Sequence, residues 1–208
     1  GYMLIRRLYL DLVGLPPSPE EIETFLADDS PFAYERLLDR LIDSPHFGER
    51  WGRHWLDVAG FVPDRESRWQ YRDYVIGAFN TDKPYDQFVS EILTASGSQN
   101  ENPPPLWYRS VRTLPDYVES VAQAFLGVRI QCAQCPHHPF ERWTQDQYYE
   151  LAAFFAHVKL EADPASAKMK VGGTAVEGSK PLYEIISDKG TGEVTPVRTG
   201  AGTAPAFP

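Results

Sequence analysis

Cysteine is scarce in this chain: two residues in 208, Cys132 and Cys135. So small a number excludes a disulfide framework and leaves the redox compartment unfixed. Long hydrophobic runs are missing as well. No stretch of eighteen apolar residues occurs, which excludes a direct membrane-spanning helix. Positive charge is in the minority, with 20 Lys and Arg against 29 Asp and Glu and a formal net charge of −9. That balance excludes nucleic acid as the main partner, because a nucleic-acid surface is met by a basic footprint. No internal repeat of fixed period is present. No signal peptide is legible either. The chain opens at Gly1 just ahead of a helical pattern, as expected of a segment of something longer.

What is present is enough to build a core. Hydrophobic residues make up 42% and aromatic residues 13%, including five Trp, eleven Tyr and eleven Phe. Each large ring removes ~150–250 Å² from water when buried. The first two thirds read as helices separated by hydroxyl caps and prolines. Leu4, Ile5, Leu8 and Leu12 form a one-sided stripe that ends at Gly14, before Pro16-Pro17. Ser18-Pro19-Glu20-Glu21 is a capping box with Pro at the first helical position. Ser30-Pro31 and Ser44-Pro45 repeat the cap-then-proline device, and the helix after Ser30 is expected to bury Tyr34, Leu37, Leu38 and Leu41. Further helices are expected from Tyr71 to Phe79 and from Pro84 to about Gly97. Pro103-Pro104-Pro105 reads as a stiff extended loop that Trp107 and Tyr108 pin to the core. Thr113-Leu114-Pro115-Asp116 and Thr144-Gln145-Asp146-Gln147 are two more capping signatures. They open helices that bury Val118, Val121, Ala122, Phe125 and Leu126, and Tyr148, Leu151, Ala152, Phe155 and Val158.

From about Glu161 the character changes. Glycine becomes frequent, and Met169-Lys170-Val171, Leu182 to Ile186 and Glu193-Val194 read as short β pieces around turns at Gly172-Gly173 and Asp188-Lys189-Gly190. The expected fold class is mainly α: a multi-helix domain over residues 1–160 with a small β-rich C-terminal extension over 161–208. Such an extension is expected to be less protected than the helices.

Between two of these helices lies the chemically richest stretch, Gln131-Cys132-Ala133-Gln134-Cys135-Pro136-His137-His138-Pro139-Phe140-Glu141-Arg142-Trp143. Cys132, Cys135, His137 and His138 are candidate cofactor-binding or metal-ligating residues. Two sulfurs three positions apart, with two imidazoles behind them, admit a disulfide or free thiol pair, a zinc-type metal site, or thioether attachment of haem c. These three readings stay open on the residues alone.

A second distinctive stretch is the helix after Ser44. Phe47, Trp51, Trp55 and Val58 recur at the helical period, which places Trp51 and Trp55 in the core as structural residues, each costing ~3–5 kcal/mol when truncated to Ala. The alternative for the tryptophans is the floor of a ligand pocket. His54 and Asp57 share this helix, and the expected role of His54 is structural, a histidine bonded to a neighbour beside the apolar stripe. A rival reading of different class is a hydrolase acting on an extracellular polymer or ester. Its acid and base groups would come from His54, Asp57, Asp64, Glu66, His137, His138 and Glu141.

Several of these blocks, in this order, resemble one known family. Arg6-Arg7-Leu8-Tyr9-Leu10-Asp11-Leu12-Val13-Gly14-Leu15-Pro16-Pro17 resembles the opening of the planctomycete cytochrome-like domain, a family of unknown function. Gly48-Glu49-Arg50-Trp51, His54-Trp55-Leu56-Asp57, Tyr71-Arg72-Asp73-Tyr74-Val75 and Lys83-Pro84-Tyr85-Asp86-Gln87-Phe88 resemble its middle. Cys132-Ala133-Gln134-Cys135, His138-Pro139-Phe140 and Gln145 to Phe155 resemble its close. The resemblance covers about residues 4–158. It implies an exported, periplasmic or cell-surface protein, commonly with a separate cytochrome c domain. The implied partners are other domains of the same polypeptide or a cytochrome-containing complex. It implies a scaffold or redox-associated module with no established reaction. One departure stands out: where the family tends to carry His directly after the second cysteine, this chain has Pro136, so the usual proximal haem ligand is missing. His138 matches a second family histidine, and His137 is a candidate substitute ligand.

Overall fold

The computed structural model describes residues 1–60, 68–166, 169, 181–196 and 198–207, with the backbone alone at Arg68. Asp64, Glu66, Lys170, Val171, Gly172 and Gly173, singled out above, lie outside the described residues. Among the described residues the chain is mainly α-helical with a small three-stranded antiparallel sheet near the C-terminus. It divides into two compact units, residues 1–57 with 72–88, and residues 58–71 with 89–208.

The first unit holds α1 (Tyr2–Leu12), α2 (Pro19–Leu26), α3 (Ala33–Ile42), α4 (Pro45–Val58), and parts of α5 (Arg68–Asn80) and α6 (Tyr85–Thr94). The capping box at Ser18 forms as expected: Glu21 N–H donates to Ser18 Oγ, and Ser18 N–H donates to Glu21 Oε2 at 2.7 Å. α3 starts later than the cap-then-proline pattern suggests. Ser30 Oγ accepts from Phe32 N–H, so Ser30 and Pro31 form a turn and the helix begins at Ala33. The core of this bundle is Ile5, Tyr9, Val13, Leu37 and Leu41, with Leu8, Leu12, Ile22 and Phe25 packed against it. The buried edge of α1 therefore runs through positions 5, 9 and 13, while Leu4 is exposed. Tyr34 is exposed as well. A helix side presents one stripe about 100° wide, and neighbouring apolar residues fall outside it.

α4 packs on α5 through glycine. A Cβ at Gly48 would meet the Ile76 carbonyl oxygen and Asn80 Oδ1, both at 2.5 Å, and one at Gly52 would meet Ile76 Cγ1 at 3.2 Å. Asn80 Oδ1 accepts from Gly48 N–H at 2.8 Å, and Asn80 Nδ2 donates to the Pro45 carbonyl. The α4 backbone thus lies directly on α5.

The second unit carries α7 (Trp107–Ser110), α8 (Leu114–Phe125), α9 (Gln145–Ala153) and the sheet. The triple proline forms a 3₁₀ turn, Pro104–Leu106, that runs straight into α7 rather than an extended loop. Trp107 and Tyr108 are buried, and Tyr108 Oη donates to the Leu93 carbonyl. Both threonine capping boxes form, Thr113 with Asp116 and Thr144 with Gln147. Leu126 at the end of α8 is exposed, against the expectation that it points inward.

The sheet has the order β1 (Gly97–Ser98), β3 (Glu184–Asp188), β2 (Val158–Ala162), both pairings antiparallel. The small β-rich extension expected near the C-terminus is present, and β3 supplies the central strand of its sheet, with Leu160 opposite Ile186 and Gly97 opposite Ile186 on its other edge. Glu184, at the start of β3, is buried and forms a two-bond pair with Arg112 at 2.7 and 2.9 Å, while Arg109, itself buried, lies 3.5 Å away. Gln99 Oε1 accepts from Glu184 N–H. A strand tied on both edges and at a buried carboxylate belongs to the layer it sits in. Val158, expected inside a helix, starts β2.

Candidate functional site

The Cys132–Trp143 segment is held by residues at both of its ends. α8 closes at Phe125 and Gly127 takes positive φ, which turns the chain. Ile130, Ala133 and Trp143 are buried and anchor the segment. Gln145, the first residue of α9, is also buried, and its Nε2 donates to the Gln134 and Cys135 carbonyls. Between these anchors Gln131–Gln134 forms a 3₁₀ turn, and Cys135 continues in a right-handed helical conformation. Cys132 lies within this turn, and Cys135 directly follows it. Both thiols are free and exposed.

Both histidine rings accept hydrogen bonds from the backbone. His137 Nδ1 accepts from Gln145 N–H at 3.1 Å, so it caps the start of α9. His138 Nδ1 accepts from Glu141 N–H at 2.9 Å and Phe140 N–H at 3.3 Å, and His138 N–H donates to the Trp143 carbonyl at 2.8 Å. These bonds close a small loop over 138–143 that presents Phe140 almost entirely to solvent, 94% exposed, with Arg142 stacked 4.8 Å from the Trp143 ring.

This network decides how well the four residues fit a haem or a zinc-type ion. A neutral ring that accepts at Nδ1 carries its proton on Nε2. A ligating imidazole bound through Nε2 does the reverse, giving its Nδ1 proton to an acceptor. Neither histidine is set to ligate, and Pro136 fills the position that would carry the proximal imidazole. Among the described residues no group of three or more His, Cys, Asp and Glu is placed to hold a metal ion. As arranged, Cys132, Cys135, His137 and His138 fit neither haem c nor a zinc-type metal. In this arrangement both histidine rings brace the backbone through Nδ1.

Three residues beside the thiols had not been singled out as site residues. Burial pushes the Glu119 carboxyl up, with Asp116 adding to the effect and a bond to Gln131 opposing it. Burial also pushes the Tyr148 hydroxyl up, helped by Glu119, Tyr149 and Cys135. The third is Gln145. Its capping-box position was legible, whereas its bonds to the cysteine turn depend on where α9 lands.

The α4 residues also depart from expectation. Trp51 is 37% exposed and Trp55 is half-buried, so the helical aromatic stripe does not lie in the core. The buried positions of α4 are Gly48 and Gly52. His54 and Asp57 are exposed, and the His54 ring meets the edge of Trp51 at 6.1 Å. His54 and Asp57 belong to one unit, and His137, His138 and Glu141 to the other. Neither set forms a bonded acid–base pair, and the hydrolase reading gains no support from them.

A family model described as PSCyt2, a protein of unknown function (DUF1549), matches residues 2–160, and the chain belongs to that family. No curated protein and no solved structure matches the chain.

Proposed function

We propose that this PSCyt2-family chain is a non-enzymatic, redox-associated module of an exported multidomain protein, and that Cys132 and Cys135 alternate between dithiol and disulfide. The observation that supports the reading is the 3₁₀ turn at Gln131–Gln134, which carries Cys132 and leads directly into Cys135, both thiols free and exposed. In the oxidising direction the dithiol gives up two electrons and two protons. One thiolate attacks a partner's disulfide and releases one partner thiolate. The second thiolate then attacks the mixed disulfide, closing Cys132–Cys135 and releasing the reduced partner. The partner is another domain of the same polypeptide or a protein of a cytochrome-containing assembly, and the exposed Phe140 of the same segment offers it an apolar contact. Export into an oxidising compartment fits such a couple.

The test equilibrates the purified protein across glutathione redox buffers and counts free thiols by mass-tagged maleimide. The expected result is a single two-electron transition in which both thiols disappear together, lost in Cys132→Ser and in Cys135→Ser. Two thiols that stay reactive under fully oxidising buffer would sink the proposal. An absorption spectrum and a metal analysis of the same sample complete it. A Soret band that survives denaturation, or one metal ion per chain, would restore the ligand reading.

A further inference from the structure

The first unit contains an open cavity of about 410 Å³ lined by Phe47, Trp51, Trp55, Phe79, Tyr85 and Phe88, with Ala78, Asp82 and Lys83 also in its wall. Its origin lies in the packing of α4. Because Gly48 and Gly52 bring α4 down onto α5, the positions one residue before and three after them, Phe47, Trp51 and Trp55, are carried along its flank. There they face the turn that joins α5 to α6. That turn is a helix C-cap in which Lys83 N–H reaches the Ala78 carbonyl and Asp82 takes φ +47°. Asp82 is the only residue other than glycine with positive φ among the described residues, and glycine would adopt this conformation at lower cost. Lys83 Nζ is steadied 4.8 Å above the Tyr74 ring.

We infer that this cavity binds a neutral saccharide, one or two pyranose rings in size. Three features select that class. The walls are mostly aromatic, and the rings are accessible, with Trp51 37% and Tyr85 58% exposed. Aromatic faces are electron-rich and attract the polarised C–H faces of a sugar ring. The two charged side chains in the wall are adjacent and of opposite sign. Lys83 opposes a cationic ligand such as a quaternary ammonium, and Asp82 opposes an anionic one. What they favour together is a neutral ligand whose hydroxyls both donate, to the Asp82 carboxylate, and accept, from the Lys83 ammonium. The volume falls at the small end of ligand cavities, which suits one or two rings rather than a long chain.

The test titrates the whole chain with cellobiose, maltose and lactose, following tryptophan fluorescence and ligand-detected NMR, with tetramethylammonium and benzoate as charged controls. At least one disaccharide is expected to bind with a dissociation constant of about 1 mM, and the charged controls are not. Trp51→Ala and Tyr85→Ala remove exposed rings and leave the fold intact by circular dichroism; each is expected to weaken binding about tenfold. Asp82→Gly relieves the positive φ, so it keeps or raises thermal stability while weakening binding. Absence of binding by all three disaccharides at ~100 mM, roughly a hundred times that constant, overturns the inference. So does retained affinity in Trp51→Ala. A signal that follows tetramethylammonium, or one that follows protein concentration with no ligand present, also overturns it, by assigning the cavity to a cation or to a second copy of the chain.

Discussion

Replacing Gly48 by Ala is expected to destabilise the first unit although it improves helix propensity. In an exposed helix interior, Gly→Ala gains ~0.5–1 kcal/mol. At Gly48 the added carbon would sit 2.5 Å from the Ile76 carbonyl oxygen and 2.5 Å from Asn80 Oδ1. The Ile76 atom is backbone and cannot rotate away, so α4 and α5 must part. Overpacking of this kind costs ~1–3 kcal/mol. The same movement breaks the 2.8 Å bond from Gly48 N–H to Asn80 Oδ1, worth ~1 kcal/mol. The unfavourable contributions exceed the gain, and the expected net loss is ~1–3 kcal/mol. Gly77, on α5, is the internal control: no atom lies within 4 Å of its added Cβ, and its φ is ordinary. Gly77→Ala should therefore stabilise by ~0.5–1 kcal/mol. Urea unfolding followed by tryptophan fluorescence and by far-ultraviolet circular dichroism reads both. At this chain size each kcal/mol shifts Tm by ~2–4 °C, so the two variants should move in opposite directions. If Gly48→Ala is as stable as the parent, α4 does not rest on α5 through its glycines, and the account of the aromatic cavity falls with it.

Glu184→Ala leaves Arg109 buried without its carboxylate and should cost ~3–5 kcal/mol, read in the same unfolding assay; a loss under ~1 kcal/mol would show that the pair lies in water. A chain ending at residue 160 removes β3 and should expose apolar surface that binds a hydrophobic dye; a compact, protease-resistant product would instead vindicate the expected boundary. Gln145→Ala should cost ~1–3 kcal/mol and raise the rate of maleimide attack at Cys135, since the turn loses the amide that holds it; unchanged reactivity would count against that role. Asp116 has its carboxyl held below the ordinary range by bonds from Thr113, and Glu21 is held low by bonds from Tyr9 and Ser18 that outweigh its burial. Both folded values lie below the unfolded ones of about 4, so this stabilisation is complete above pH ~5 and fades as pH falls through the folded values. Asp116→Asn should flatten the acid limb of a Tm-against-pH curve, and an unaltered limb would show that the cap carries no such linkage.

The helix starts at Ser18, Thr113 and Thr144 were legible in the sequence because a cap is a local event. A hydroxyl and a side chain three residues on satisfy backbone N–H groups within one turn, whatever the rest of the chain does. The same holds for Trp107 and Tyr108, whose size left them little choice but burial. The cysteine stretch was found by composition, since Cys132, Cys135, His137 and His138 are chemically conspicuous wherever they fold. What these residues do was decided by tertiary contacts. The arrival of α9 places Gln145 N–H against His137 Nδ1, so that the ring braces a helix start. The period of α4 names two adjacent stripes, one aromatic and one glycine, and does not say which faces inward. Close backbone approach to Ile76 and Asn80 chose the glycines and left Trp51 and Trp55 to line a cavity. β3 read as a strand from its own residues, yet its place at the centre of the sheet comes from β1 and β2, up to 89 positions earlier. Local sequence determines caps and turns because the partners lie within a few bonds. Register, burial and the partner of a ring nitrogen depend on atoms that only the folded chain brings together.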